Sequence, residues 1–249
     1  MPGNDEVQRA VSAPEAEVVV RLEKASRVYN PGENEVRAMD AIDLVIRRGE
    51  FTALVGPSGS GKSTLLHCLG CLDAPTSGRV VIAGQDVTTG LTATQRGEIR
   101  NKSIGFIFQS FNLIPVLTAY ENIEFALQIN GTLNAKQMHE RVMEMLEILG
   151  IVPQKDRRPN QLSGGQQQRV AIGRALAKRP ALILADEPTA NLDRKTSEDI
   201  IALMRRMNEQ FGATFVFSTH DEHLMGHARR IVRLTDGRVV SEESRAAHG

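Results

Sequence analysis

The 249-residue chain lacks net charge: 30 Lys and Arg balance 30 Asp and Glu, so no overall field draws it to nucleic acid or to an anionic lipid surface. Long hydrophobic runs are missing too. Ile104 to Phe108 and Leu182 to Ala185 are typical, and they fall far short of the roughly 20 residues that span a bilayer. If the protein works at a membrane, another chain supplies the span. Met1 to Glu17 has acidic residues and two prolines but no apolar core, which argues against a signal peptide. Residues 1–16 therefore read as a mobile tail, and the location as cytoplasmic. Cysteine is scarce: Cys68 and Cys71 form a C-x-x-C, but no second pair exists to complete a zinc site. Helical spacing would pack both thiols against a sheet as small apolar groups. His220, His223 and His227 crowd one short stretch without a partner elsewhere, a weak metal signal. Internal repeats and low-complexity tracts are also absent.

What is present is ordinary for a globular protein, with 41% hydrophobic and 24% charged residues, which excludes a largely disordered chain. This length fits one large domain, or a core carrying an inserted subdomain. Alternation in Val18 to Leu22 and Ile42 to Ile46, with the Asn30-Pro31-Gly32 turn between them, predicts an antiparallel sheet at the start. Phe51 to Val55 is a continuous apolar run ending in glycine, the pattern of a buried parallel strand, and Lys62 to Leu69 reads as the helix after it. A short strand is expected at Arg79 to Ala83. Between Thr118 and Gly150 two helices are expected, opened by the capping-box pairs Thr118/Glu121 and Asn134/Gln137. Strand and helix then alternate through Leu182 to Ala185, Arg194 to Glu209, Thr214 to Ser218 and Ile231 to Leu234. The simplest assembly is an open α/β core with a helical insertion over about 114–176.

Gly56-Pro57-Ser58-Gly59-Ser60-Gly61-Lys62-Ser63 matches G-x-x-x-x-G-K-[ST] in full, after a buried strand and before a helix. Glycines there let backbone N–H groups wrap phosphates, and the helix offers the positive end of its dipole. Lys62 is placed to reach β- and γ-phosphates, the Ser63 hydroxyl to ligate Mg²⁺, and Thr64 continues the nucleotide-binding run. Leu182 to Asp186 and Glu187 form a buried strand ending in two carboxylates at the edge where open α/β sheets bind ligands. Asp186 would hold Mg²⁺, and Glu187 would orient and deprotonate an attacking water. In Leu162-Ser163-Gly164-Gly165-Gln166, Ser163 and Gln166 have capping-box spacing, which leaves the glycine pair unexplained. Two glycines beside a helix start allow close approach to an anion, hence a second phosphate site.

With that pentapeptide the chain resembles the ABC transporter ATPases over about 17–240, with 241–249 left as a second tail. The resemblance implies the ABC ATPase fold: a P-loop NTPase core with an antiparallel β subdomain and an inserted α-helical subdomain. It also implies ATP as the nucleotide. Tyr29 matches the aromatic residue that stacks on adenine, Gln109 the glutamine that senses Mg²⁺ and γ-phosphate, and Asn191-Leu192-Asp193 the loop that crosses a dimer interface. His220 matches the histidine that contacts γ-phosphate, and Glu187 the catalytic carboxylate. By the same resemblance the phosphate loop and the Ser163–Gln166 tip lie on opposite sides of a nucleotide interface, so a homodimer on ATP binding is expected, Ser163, Gly164, Gly165 and Gln166 serving the partner's site in trans.

The apolar stretch after Gln109, ending at Leu117, matches the loop bordering a groove for an integral-membrane permease on a separate chain. The subunit would then be peripheral on the inner face of the cell membrane. Gly70 to Gly78, Phe106 to Leu113 and Pro188 to Asp193 look most like the lipoprotein-release and macrolide-exporter branch. Three rivals compete: a soluble ABC ATPase acting on nucleic acid or ribosomes, another phosphate-loop enzyme such as a kinase or GTPase, and an inactive binding subunit, which the intact Glu187 and His220 disfavour. The first usually carries a long coiled coil, a zinc module or two ATPase domains, and the sequence has none of these; neutral charge also disfavours nucleic acid. The second lacks the aspartate of N-K-x-D after Asn101-Lys102-Ser103.

Overall fold

The computed structural model describes residues 17–245 apart from 31, 33 and 89; residues 1–16 and 246–249, both within the segments read as tails, lie outside the described residues. Val18–Tyr29 (β1) and Val36–Arg47 (β2) pair antiparallel, and β1 also pairs with Ser77–Ile82 (β4), which carries the two-residue strand Gln85–Asp86 (β5). Both long strands outrun the alternation read from the sequence. Register shifts between Leu22 and Arg27 break the period, and Lys24 and Ala41 take left-handed φ values of 48° and 50°.

The second sheet has the order β10-β9-β3-β8-β7-β6. Phe51–Val55 (β3), Ile104–Ile107 (β6), Leu182–Asp186 (β7), Phe215–Ser218 (β8) and Arg230–Thr235 (β9) are parallel, and Arg238–Ser244 (β10) returns antiparallel beside β9. β10 runs four residues into the stretch read as a tail. It escaped the periodicity reading because only Val239 along it is even half-buried.

Alternate residues of the parallel strands point into two separate cores, which is why those strands read as unbroken apolar runs. Phe51, Ala53, Ile183, Ala185, Phe215 and Phe217 pack beneath the helices Ala119–Asn130 (α3), Ala135–Ile148 (α4), Gly164–Leu176 (α5) and Arg194–Phe211 (α6). Leu54, Leu182, Leu184 and Val216 face the helix Lys62–Leu69 (α1) and the antiparallel sheet. The Phe51 ring lies 5.5 Å from Phe215 and 4.9 Å from Phe217 between centroids, tilted in both cases.

Capping boxes form at Thr118/Glu121, Asn134/Gln137 and Ser163/Gln166. A fourth, Thr92/Gln95, starts the helix Ala93–Ser103 (α2), whose interior buries Ile99 alone and so shows no apolar stripe in the sequence. A short last helix, Glu222–His227 (α7), precedes β9. Cys68 lies on α1, but Cys71 falls beyond its end with φ 53°, so the two thiols do not share a helical face. Both are buried and free, and burial pushes their pKa values up to about 12 for Cys68 and about 11 for Cys71.

Candidate active site

Four parallel strands end side by side at one edge of the sheet, and each hands over to a loop that the sequence singles out. β3 leads into the phosphate loop, β8 into His220, β7 into Asp186 and Glu187, and β6 into Gln109. Hydrogen bonding locks that edge: Thr219 N–H donates to the Leu54 carbonyl at 3.1 Å, and the Ser218 hydroxyl donates to Asp186 Oδ1 at 2.6 Å. Ligands of open α/β sheets bind at this edge because the loops diverge there.

Gly56, Gly59 and Gly61 all have left-handed φ values, 154°, 79° and 99°. At two of them the backbone is also crowded: a Cβ on Gly56 would lie 2.2 Å from the Leu234 carbonyl oxygen, and one on Gly61 would lie 2.2 Å from that of Ala38. Only glycine fits. Lys62 folds its ammonium back over the loop, donating to the carbonyls of Gly56 at 2.8 Å and Pro57 at 2.9 Å and to Ser60 Oγ at 3.4 Å. Unlike α2 to α5, α1 begins without a side-chain cap, and its start lines the cleft. Its leading N–H groups are therefore the kind of donor that a phosphate satisfies.

A cleft of about 570 Å³ gathers Tyr29, the loop residues Gly56 and Ser58 to Thr64, Glu187 and His220. Val36, Arg37 and Ala38 of β2 also line it. Sequence reasoning missed them because strand pairing, not a local pattern, brings them there. Tyr29 is firmly held: its hydroxyl donates to Asp73 Oδ2 at 2.7 Å, and the Arg27 guanidinium sits 4.6 Å from the ring centroid. Burial, then the Asp73 contact, raises the pKa of the phenol.

Glu187 has φ 45°, an uncommon conformation for a non-glycine residue. It is held there by its own N–H donating to Ser218 Oγ at 3.1 Å and by its carbonyl accepting from Ala190 N–H at 3.2 Å. Its carboxylate reaches His220, with Oε1 2.9 Å from Nδ1. His223 instead contacts Arg194 at 2.7 Å, so the histidine run divides between different partners. The oxygen donors Ser63, Asp186 and Gln109 make a hard set of the kind Mg²⁺ takes, and Asp186 keeps one carboxylate oxygen beyond its bond from Ser218.

Gln109, Asp186, Asp193 and Ser163 to Gln166 are not among the walls of that cleft. Asp193 caps α6, accepting from Thr196 N–H at 3.0 Å and Thr196 Oγ1–H at 2.6 Å, and these bonds hold its carboxyl below the usual range. Asn191 donates to the Gln109 carbonyl at 3.0 Å and so ties its loop to the end of β6. At the start of α5, a Cβ on Gly165 would lie 2.5 Å from Thr196 Cγ2, and one on Gly164 would lie 3.3 Å from Leu192 Cδ2. The glycine pair thus also serves close packing against the Leu192–Thr196 turn. Among the described residues no helix is long and apolar enough to cross a membrane.

Comparison with known proteins identifies the family. The family model described as ABC transporter matches residues 39–190. An uncharacterized ABC transporter ATP-binding protein of Thermotoga maritima is 48% identical over 227 residues, covering 91% of this chain and 96% of that protein. LolD of Bordetella avium, a lipoprotein-releasing system ATP-binding protein, is 41% identical over 90% of this chain and 96% of its own length. MacB of Syntrophobacter fumaroxidans, a macrolide export ATP-binding/permease protein, is 46% identical, but the chain spans only 32% of it. Among solved structures, the dimeric post-hydrolysis cassette MJ0796 bound to ADP and Pi superimposes with a TM-score of 0.83 at 44% identity, covering 92% of this chain and all of that one. The chain therefore belongs to the ABC transporter family, as an ATP-binding and ATP-hydrolysing subunit with the ABC ATPase fold.

Proposed function

We propose that two copies of this chain close around two molecules of Mg-ATP and thereby drive a separate integral-membrane permease of the lipoprotein-release or macrolide-export type. The observation that carries the reading is the division of the phosphate-binding parts. Lys62, Glu187 and His220 share one cleft, whereas Ser163 to Gln166 lie outside it on the same chain. A two-fold axis would bring the Ser163 tip of each subunit to the other's phosphate loop, a self-complementary contact. The dimeric state of MJ0796 supports that arrangement. LolD and MacB support the branch.

In this reading Tyr29 stacks on adenine, and the N–H groups of the 56–64 loop wrap the phosphates. Lys62 exchanges its loop carbonyls for β- and γ-phosphate oxygens. Ser63, Asp186 and Gln109 would hold Mg²⁺, which when bound neutralises charge developing on the phosphates. Glu187 takes a proton from the attacking water, and its bond to Ser218 fixes where the carboxylate begins. His220 bridges Glu187 to the γ-phosphate, and Asp193 lies at the dimer interface. Loss of the γ-phosphate removes the anion that Ser163 and the two glycines hold in trans, so the dimer loosens.

The permease docks beside Gln109 to Leu117. There a groove of about 360 Å³ is lined by Arg100, Phe106, Phe108, Asn112 and Ile129, and Val116 and Ile129 stand exposed at 71% and 57%. Binding the permease places the subunit at the membrane surface. Size-exclusion chromatography of Glu187→Gln tests the dimer. ATP should convert the variant to a dimer that persists because turnover is slow, and a monomer at saturating Mg-ATP would refute the composite site.

A further inference from the structure

Three segments meet around Gln109, and one side chain that the catalytic reading leaves unused holds two of them together. Directly after Gln109 and Ser110 the chain puts two consecutive non-glycine residues into the left-handed region, Phe111 at φ 61° and Asn112 at φ 48°. Asparagine tolerates that conformation, whereas phenylalanine, with its Cβ close to the following carbonyl oxygen, is strained in it. Local hydrogen bonds from Phe111 N–H to the Phe108 carbonyl and from Asn112 N–H to the Ser110 carbonyl shape the turn. They leave the carbonyls of Phe111 and Asn112 turned toward α5. Arg174 of α5 donates to both, through NH2 to Phe111 at 2.9 Å and through NH1 to Asn112.

The guanidinium does this at a cost. Burial pushes its pKa down, and no carboxylate is paired with it among the described residues. A cation held in that way contributes little to stability for its own sake. Its planar fork, however, matches two adjacent carbonyls in a way a point charge does not. The Phe111 ring also lies near the start of α5, where a Cβ added to Gly164 would come within 3.8 Å of it. Ten residues of helix, about 15 Å, separate Gly164 from Arg174. α5 thus carries the Ser163 tip at one end and grips the Gln109 loop further along.

We infer that Arg174 is a positioning residue for turnover: by clamping the Phe111 and Asn112 carbonyls it fixes the strained turn that aims Gln109, and makes the Ser163-bearing helix and the Gln109 loop move as one body. This rests on the proposed role of Gln109. Arg174 touches no part of the nucleotide cleft, so its loss acts on the chemical step through the loop and leaves nucleotide affinity intact.

The test is a double-mutant cycle on the full chain, with steady-state ATPase kinetics at saturating Mg²⁺ and thermal unfolding for each variant. Arg174→Met should lower kcat about tenfold with KM changed less than twofold. Arg174→Lys, which keeps the charge and one donor, should recover part of the loss, and it serves as the working variant should the methionine form not fold. Gln109→Ala should be slow by itself, and adding Arg174→Met should slow it no further, because both changes disable one element. A wild-type kcat in both Arg174 variants, or losses that multiply in the double variant, would overturn the inference while leaving Gln109 in place. Wild-type turnover in Gln109→Ala would instead remove the role of Gln109, and the inference with it.

Discussion

His220 Nδ1 lies 2.9 Å from Glu187 Oε1, although 33 residues separate the two in sequence. The contact exists because β7 and β8 are adjacent parallel strands in register, Asp186 opposite Ser218, so the residues following each strand emerge together. Glu187 is largely sheltered and His220 mostly exposed, at 19% and 74% of side-chain surface. The carboxylate is thus fixed by its surroundings, and the imidazole is fixed by the carboxylate.

That asymmetry separates two variants. Glu187→Gln keeps shape and backbone contacts but removes the base, so ATP binding should persist while kcat falls by about two orders of magnitude or more. His220→Ala should also lower kcat, by roughly tenfold to a hundredfold, since the carboxylate survives without its partner. Phosphate release and fluorescent-nucleotide binding on the same preparations check both. Equal loss of nucleotide affinity in either variant would contradict the assignment.

The phosphate loop predicts a different phenotype. Gly61→Ala places a Cβ 2.2 Å from the Ala38 carbonyl oxygen at φ 99°, so the loop or β2 must shift. The variant should lose nucleotide binding together with some stability, on the order of 1–3 kcal/mol. Lys62→Ala should weaken binding without that stability loss. Chemical denaturation and nucleotide titration distinguish them.

The two thiols give a pH-dependent prediction. With pKa values pushed up to about 12 and about 11, Cys68 and Cys71 keep their protons in the folded chain at pH values where free thiols near 8.5 ionise. The folded state then holds more protons than the unfolded one, so this contribution to stability is complete below about pH 8.5 and is lost as pH rises toward 11. Iodoacetamide at pH 8 should label both cysteines quickly in denaturant and neither in the native protein, as read by mass spectrometry. Rapid native labelling would mean the α1 packing opens.

How much of this could be read in advance depends on where the information sits in the chain. The phosphate loop, the carboxylate-ending strand and the Ser163 tip are contiguous segments whose constraints are local, and the cleft brings Glu187, the residue after that strand, to the phosphate loop. β3 and β7 were legible because both their faces are buried. α2 was not, since its amphipathic stripe reduces to Ile99, and β10 was not, since its pairing with β9 leaves it almost wholly exposed. The Arg174 clamp spans more than sixty residues and joins a side chain to backbone carbonyls, which any sequence supplies. Contacts of that sort leave no compositional mark.

The most direct measurement concerns the composite site. Ser58→Cys and Ser163→Cys, placed together in the Glu187→Gln chain, should form disulfides between two chains when Mg-ATP is added and an oxidant is present, giving a covalent dimer on a non-reducing gel. The native thiols, buried as they are, should not contribute. An ATP-dependent dimer band that vanishes with either cysteine alone is the predicted result. Crosslinking within a single chain, or no ATP-dependent crosslink at all, would contradict the account.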